Sequence, residues 1–145
     1  MIVAFACDHG GFPFRENIIP YLEKQGHIIR DFSPKNFEPL DDFPDYAQQV
    51  CKNILSWDSE RWILICGTGI GMSIAANRFS GIRAVLSYSP EIAKISRSHN
   101  DANVICFGAR TMTVEDVMLS LDIFFSEPFL GDKYQRRNDK IDCDC

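Results

Sequence analysis

The stretch ILICGTGIGMSIAAN, residues 63–77, joins an apolar run to a helical pattern through a turn rich in glycine. The apolar run is typical of a buried β-strand, and the residues after the glycines follow the spacing of a helix. Cys66 closes the strand, and Gly67, Gly69 and Gly71 alternate behind it. This unit predicts an α/β protein and raises the question of what a thiol does at the end of the strand.

The same alternation of short β-branched runs and helical patterns extends over the whole chain, as in parallel α/β sheets. Strands are predicted at residues 2–6, 27–31, 62–66, 82–87 and 103–107, and helices at 13–26, 45–55, 71–79, 90–99 and 113–125. Pro20 falls inside the first helix and should kink or shorten it. We expect one domain over residues 1–145, an α/β/α sandwich of three layers with a five-stranded parallel, Rossmann-like sheet.

Composition excludes several classes of partner. The formal net charge of −5 argues against a nucleic-acid or anionic-membrane binder, which would present a basic face. The apolar N-terminal run stops at Asp8, too short for a signal peptide, and no run is long enough to span a bilayer. Six cysteines form no Cys-x2-Cys pair, so we expect free thiols in the cytoplasm.

Polar side chains follow the predicted strands at the points where the strands end. They are Asp8 and His9 with Gly10 and Gly11, Cys66 to Gly69, Ser87 to Ser89, and Gly108 to Arg110. In open parallel sheets, ligands bind beyond the carboxyl ends of the strands. The sequence therefore predicts a site at this edge, and residues 32–44, rich in Pro and Asp, form a loop of a length often used for function.

The glycine turn departs from three known kinds of site. A P-loop carries Lys-Ser/Thr after its last glycine, whereas Gly71 is followed by Met72 and Ser73. The dinucleotide fingerprint is G-x-G-x-x-G, whereas this turn reads G-x-G-x-G. A cysteine phosphatase loop would need an arginine where Met72 stands. Two interpretations of Cys66 remain. Either its thiol lies beside a turn whose N–H groups favour an anion, or it is a buried cysteine and the glycines only turn the chain.

The other candidates also keep two interpretations each. Asp8 and His9 could contact a ligand. Alternatively, Asp8 caps a helix or turn and His9 is a surface residue. His99, at a helix C-terminus, suits proton transfer or a favourable contact with the helix dipole. Arg110, Lys133, Arg136 and Arg137 could bind an anion or form a solvated face. The histidines show no metal-ligand spacing, so no metal is expected.

Taken together, these residues resemble the B-type ribose-5-phosphate isomerase family, which includes isomerases of allose and galactose phosphates. The matching segments, in family order, are CDHGG (7–11), DFPDYA (42–47), ILICGTGIGMSIAAN (63–77), GIRAV (81–85), SRSHNDANV (96–104), FGAR (107–110) and a basic segment ending at Arg137. The resemblance implies an aldose–ketose isomerase of the non-oxidative pentose phosphate pathway that interconverts ribose 5-phosphate and ribulose 5-phosphate without metal or cofactor. It also implies a homodimer or tetramer with active sites between subunits.

The resemblance assigns roles residue by residue. Cys66 matches the catalytic base and His99 the ring-opening acid/base, with Thr68 assisting. The remaining matches bind substrate: Asp8, His9 and Asn100 for the sugar and its phosphate, Gly67, Gly69, Ile70 and Gly71 for the anionic intermediate, and Arg110, Lys133 and Arg137 for the phosphate. Residues 127–145 are expected to form a helical, basic segment against a neighbouring subunit.

Two departures and two alternatives accompany the resemblance. The family commonly has Arg-His where this chain has Lys133 and Tyr134, and lysine lacks the bidentate fork of arginine. Some members use a glutamate base from the glycine-loop helix; GMSIAAN offers none, which favours Cys66.

The alternative functions are an allose- or galactose-6-phosphate isomerase subunit and, further away, a non-catalytic sugar-phosphate or nucleotide-binding module.

Overall fold

The computed structural model describes residues 1–54 and 61–141. Its strands are β1 (Ile2–Cys7), β2 (Ile28–Asp31), β3 (Arg61–Cys66), β4 (Ala84–Leu86) and β5 (Val104–Gly108). Its helices are α1 (Phe12–Lys24), α2 (Phe43–Ile54), α3 (Ile70–Ala76), α4 (Pro90–Asn100), α5 (Val114–Ser126) and α6 (Lys133–Asn138). The strands pair in parallel in the order β2-β1-β3-β5-β4, which confirms the predicted five-stranded parallel sheet.

Helices cover both faces of the sheet, because side chains along a strand point alternately to the two sides. Phe5, Ile65 and Phe107 face one side, where they pack with apolar residues of α1, α4 and α5. Leu64 and Cys106 face the other side and pack with α2 and α3. The predicted three-layer sandwich is therefore confirmed. None of the described helices has the length and apolar character needed to cross a membrane.

Several element boundaries differ from the prediction; α3, for example, ends at Ala76 and not at residue 79. Helix α1 continues through Pro20 to Lys24, so the expected shortening is wrong. Pro20 is exposed, and water can therefore bind the carbonyl that the missing N–H leaves free. Strand β4 is shorter than predicted because the Arg83 N–H donates to the Asn103 side-chain oxygen, at 2.8 Å, before the ladder begins. Leu55, predicted to end the second helix, lies outside the described residues.

The parallel strands give the sheet an amino edge and a carboxyl edge. Trp62 pairs with Val104 at the amino edge, and Cys66 pairs with Gly108 at the carboxyl edge. These two rungs are four residues apart, or about 13 Å along the strands. Helix α4 starts just after β4 ends and stops just before β5 begins, so it returns the chain from the carboxyl edge to the amino edge.

Candidate active site

The turn after β3 presents the Cys66 sulfur to a backbone amide. The Gly69 N–H donates to Cys66 Sγ at 3.1 Å, and Gly69 is the N-cap of α3 with φ of 77°. A Cβ at position 69 would lie 2.6 Å from the Leu86 side chain and 2.9 Å from the Phe107 carbonyl carbon. Only glycine combines that φ with that space, so this residue is required to aim the amide at the sulfur.

The turn after β1 lies directly beside the turn after β3, because β1 and β3 are neighbours in the sheet. The Asp8 N–H donates to the Ile65 carbonyl at 3.3 Å. A Cβ on Gly10 would lie 2.6 Å from the Gly67 nitrogen, so the two turns approach as closely as backbones can. This close approach places Asp8 and His9 next to Cys66.

An open pocket of about 220 Å³ lies over these turns at the carboxyl edge. It is lined by Asp8, His9, Phe43, Cys66, Gly67, Thr68, Gly71 and Arg110. We call these residues, with Gly69 and Ile70 of the same turn, the carboxyl-edge group. Arg110 lies over the turn. Its backbone N–H donates to the Gly67 carbonyl at 2.9 Å, and its guanidinium lies above Gly67. The structure thus brings ten residues of the site to one edge, nine of which the sequence predicted.

Sequence reasoning missed Phe43, which forms one wall of the pocket, and Asp41, which holds His9. Asp41 Oδ1 accepts hydrogen bonds from the His9 backbone N–H at 3.0 Å and from its Nδ1 at 2.6 Å. Burial alone would raise the pKa of Asp41, but the bonds from His9 and from the Tyr46 hydroxyl outweigh burial and lower it. Because Nδ1 is occupied, Nε2 is the ring nitrogen left for a ligand. Both missed residues lie within residues 32–44, the segment predicted as a loop, although Phe43 already begins helix α2.

Asp8, His9 and Asp41 have potential metal-ligand atoms within 4.8 Å of one another, a grouping that their sequence spacing does not show. Hydrogen bonds within the protein explain why these three side chains lie close together. Asp8 Oδ1 accepts from the Gly11 N–H at 3.1 Å, and Asp41 Oδ1 accepts from His9.

Four predicted residues lie at the opposite edge of the sheet. His99 and Asn100 end helix α4, and the Asn100 carbonyl accepts a hydrogen bond from the Nε of Arg83, just before β4, at 3.0 Å. The His99 ring lies parallel to that of Tyr134, and Lys133 and Arg137 flank the same tyrosine on helix α6. We call His99, Asn100, Lys133, Tyr134 and Arg137 the amino-edge group. Within one chain, the amino-edge group and Cys66 lie at opposite ends of the strands.

The cysteines of the described residues, Cys7, Cys51, Cys66 and Cys106, are free thiols, and Cys143 and Cys145 lie outside that part of the chain. Burial raises the pKa of Cys7 and of Cys51 to about 12, and that of Cys106 well above its ordinary value. These three therefore stay protonated near neutral pH. Cys66 differs in that it lines the pocket and receives the Gly69 amide.

Asp8 is 5% exposed, and its buried carboxylate costs free energy. Burial raises the pKa of Asp8, although hydrogen bonds from the Gly11 and Gly10 amides and the nearby His9 ring act in the opposite direction. Because the folded-state pKa lies above the unfolded value, ionisation opposes folding above the folded pKa. This cost disappears as the pH falls below the unfolded value.

Asp8→Asn should therefore raise the melting temperature at neutral pH, because the amide oxygen can still accept from Gly11 while the buried charge is gone. The gain over wild type should shrink as the pH falls into the range where Asp8 is protonated in the folded protein. Thermal unfolding followed by circular dichroism at several pH values measures both effects.

Asp45→Asn is the matched control, since it removes an exposed carboxylate from the first turn of α2. Its melting temperature should stay the same or fall slightly, because a carboxylate in the first turn interacts favourably with the helix dipole. A gain for Asp8→Asn that is equal at every pH, or a loss at neutral pH, would contradict the assigned cost.

Comparisons with known proteins identify the family of the chain. The family description "Ribose/Galactose Isomerase" matches residues 3–141. The chain is 40% identical to ribose-5-phosphate isomerase B of Escherichia coli K12 over 139 residues, 96% of this chain and 93% of that protein. A ribose 5-phosphate isomerase structure from Thermotoga maritima superposes with a TM-score of 0.93 at 42% identity, over 97% of both chains. Ribose-5-phosphate isomerase B of Mycoplasma genitalium, solved with bound ribulose-5-phosphate, gives 0.92 at 35% identity, over 97% of this chain and 93% of that one.

These matches confirm the resemblance that the sequence motifs indicated, and they cover nearly the whole chain. The chain belongs to the Ribose/Galactose Isomerase family.

Proposed function

We propose that this protein interconverts ribose 5-phosphate and ribulose 5-phosphate, as an aldose–ketose isomerase of the non-oxidative pentose phosphate pathway. The observation that carries the proposal is the Gly69 N–H aimed at the Cys66 sulfur, 3.1 Å away, inside a pocket that also holds Arg110 and His9. The relative from Mycoplasma genitalium was solved with bound ribulose-5-phosphate, which supports this substrate class.

Cys66 is the base in the carbon-to-carbon proton transfer. As a thiolate it takes the proton from C2 of the open-chain aldose, the C1–C2 double bond forms, and the C1 oxygen becomes an anion. The resulting enediolate takes the proton back from sulfur at C1, while the proton of the C2 hydroxyl moves to the C1 oxygen and C2 becomes the ketone. A single group can serve both carbons because they are neighbours.

The backbone after Cys66 stabilises the charge of the enediolate. The turn at residues 67–71 supplies the backbone donors: the Gly69 N–H lies 3.1 Å from Cys66 Sγ, and the Thr68 side chain is exposed beside it. One aimed donor of this kind is typically worth about 2.7–4 kcal/mol of transition-state stabilisation. Asp8 and His9 bind sugar hydroxyls or the phosphate from the neighbouring turn, and Arg110 supplies a guanidinium to the phosphate.

Ring opening precedes this transfer, because ribose 5-phosphate is mainly a closed ring. His99 takes the proton of the C1 hydroxyl and gives a proton to the ring oxygen, which breaks the C1–O bond and yields the aldehyde. Imidazole suits this exchange near neutral pH because it can both accept and donate a proton. Asn100 would bind the sugar beside it.

The site is completed by a second copy of the chain. His99 and Cys66 lie at opposite edges of one sheet, because Cys66 ends a strand and His99 ends a helix that returns the chain to the amino edge. One substrate molecule can contact both only if the amino-edge group of a partner covers the carboxyl-edge pocket. Ile70 and Ile74, 51% and 61% exposed on the same side of α3, supply apolar surface beside the pocket for such contact.

The partner's segment from residue 127 to the C-terminus would then bring Lys133 and Arg137 to the phosphate. A homodimer contains two such sites, and a tetramer would repeat the same pair. A thiolate base requires that Cys66 stay reduced, which supports a cytoplasmic location.

Cys66→Ala should abolish ketose formation from ribose 5-phosphate by the purified protein, because the base is removed. General-base catalysis typically contributes about 10²–10⁴-fold, and the rate should fall at least that far. Binding of ribose 5-phosphate, measured by calorimetry, should change little. Cys51→Ala makes the same chemical change at a buried thiol outside the pocket and should keep the rate. Substantial turnover by Cys66→Ala would remove Cys66 from this role.

Mixing two inactive variants tests whether the site is shared. Cys66→Ala and His99→Asn, unfolded together and refolded, should form mixed dimers in which one of two sites combines an intact Cys66 with an intact His99. Random pairing makes half of the dimers mixed, so about a quarter of wild-type activity should return. A site contained in one chain would give no recovery.

The matched control mixes Cys66→Ala with His9→Ala, since both positions belong to the carboxyl-edge group. No mixed dimer then contains a site with both residues intact, and activity should not exceed that of the separate variants. Recovery in this control would contradict the division of the site between the two edges.

A further inference from the structure

We propose that Tyr134 is a positioning residue that fixes the imidazole of His99 for ring opening. The inference rests on the proposed function of His99, but the contact itself can be tested separately. It also assigns a role to a residue at which the chain departs from the common Arg-His pattern.

The two rings lie face to face. Their centroids are 4.2 Å apart, and their planes differ by 8°. A contact of this kind restrains the plane of the imidazole, because tilting the ring would break the overlap or bring atoms into collision. Tyr134 is half-buried on helix α6, with its ring against the imidazole.

Stacking leaves both imidazole nitrogens available. Over residues 1–54 and 61–141, no hydrogen bond to Nδ1 or Nε2 of His99 accompanies the stack. His9 is oriented differently, since its Nδ1 is occupied by Asp41 at 2.6 Å. A histidine that must take one proton and give another benefits from an orienting contact that uses its face rather than its nitrogens.

The backbone holds the two rings in register. The Leu130 N–H donates to the Ser98 carbonyl at 3.1 Å, which ties the segment before α6 to the last turn of α4. The chain then turns through Gly131 and Asp132, both with positive φ, and the Tyr134 N–H donates to the Gly131 carbonyl at 3.0 Å. These two backbone hydrogen bonds bring Tyr134 next to His99.

The same tyrosine ring also organises the cations. Lys133 Nζ lies 5.1 Å and Arg137 Cζ 5.7 Å from its centroid, within the range of cation–π attraction. The acid/base group and the two charges proposed for the phosphate therefore surround one aromatic ring. This arrangement gathers them at the amino edge.

Tyr134→Phe and Tyr134→Leu together distinguish the contribution of the ring from that of the hydroxyl. Tyr134→Phe keeps the stack and should convert ribose 5-phosphate at close to the wild-type kcat. Tyr134→Leu loses it, and kcat should fall roughly 10- to 100-fold, the cost expected of a misplaced catalytic group. Tyr21→Leu removes a tyrosine that belongs to neither edge group and whose hydroxyl donates to Asp122 at 2.6 Å, and it should keep kcat.

A second assay isolates ring opening. Ribulose 5-phosphate cannot close a five-membered ring, so exchange of its C1 proton in D2O reports the Cys66 step alone. Tyr134→Leu should slow this exchange far less than it slows conversion of ribose 5-phosphate. An equal loss in both assays, or a kcat of Tyr134→Leu equal to wild type, would overturn the positioning role.

Proton NMR tests the contact without reference to turnover. The chain has three histidines, and His99→Gln identifies the imidazole C–H signals of His99. These signals should be shifted by the tyrosine ring current in wild type and Tyr134→Phe, and not in Tyr134→Leu. A wild-type protein inactive on ribose 5-phosphate would refute the proposed function, and the ring-current shift would still decide the contact. His99 signals unchanged in Tyr134→Leu would overturn the inference.

Discussion

Parallel strand pairing is the constraint on which the rest of this molecule depends. Every strand of the sheet runs the same way, so each strand end lies at the carboxyl edge and each returning helix ends at the amino edge. Cys66 ends a strand, whereas His99 ends a helix. No choice of side chain could bring the two together within one sheet. The proposed dimer follows from this geometry, because ring opening and proton transfer must act on one sugar.

The two edges use different means to orient their catalytic and binding groups. At the carboxyl edge, backbone amides and a carboxylate do so: the Gly69 N–H meets the Cys66 sulfur, and Asp41 accepts from His9. At the amino edge, the flat face of Tyr134 meets His99. The Gly69 amide contacts the Cys66 sulfur inside the pocket, whereas the stacked contact leaves both imidazole nitrogens of His99 available for proton transfer.

Much of this could be predicted from the sequence, for local reasons. The apolar run before Cys66 and the glycines after it specify a strand and a turn, and the rule that ligands bind at strand ends assembled Asp8, Cys66 and Arg110 correctly. The Asp41–His9 bond joins residues 32 positions apart, and only the folded loop brings them together. The resemblance implied active sites between subunits, but it did not say which residues each copy supplies; the strand end at Cys66 and the helix end at His99 give that division.

A crystal structure of Cys66→Ala with bound ribose 5-phosphate tests whether two copies share the site. A shared site predicts that C1 and C2 of the sugar lie against Ala at position 66 of one copy, with their hydroxyl groups within hydrogen-bonding reach of Asp8 or His9 of that copy. It also predicts that the ring oxygen faces His99 of the partner subunit. A sugar phosphate contacted on all sides by residues of a single chain would contradict the shared site.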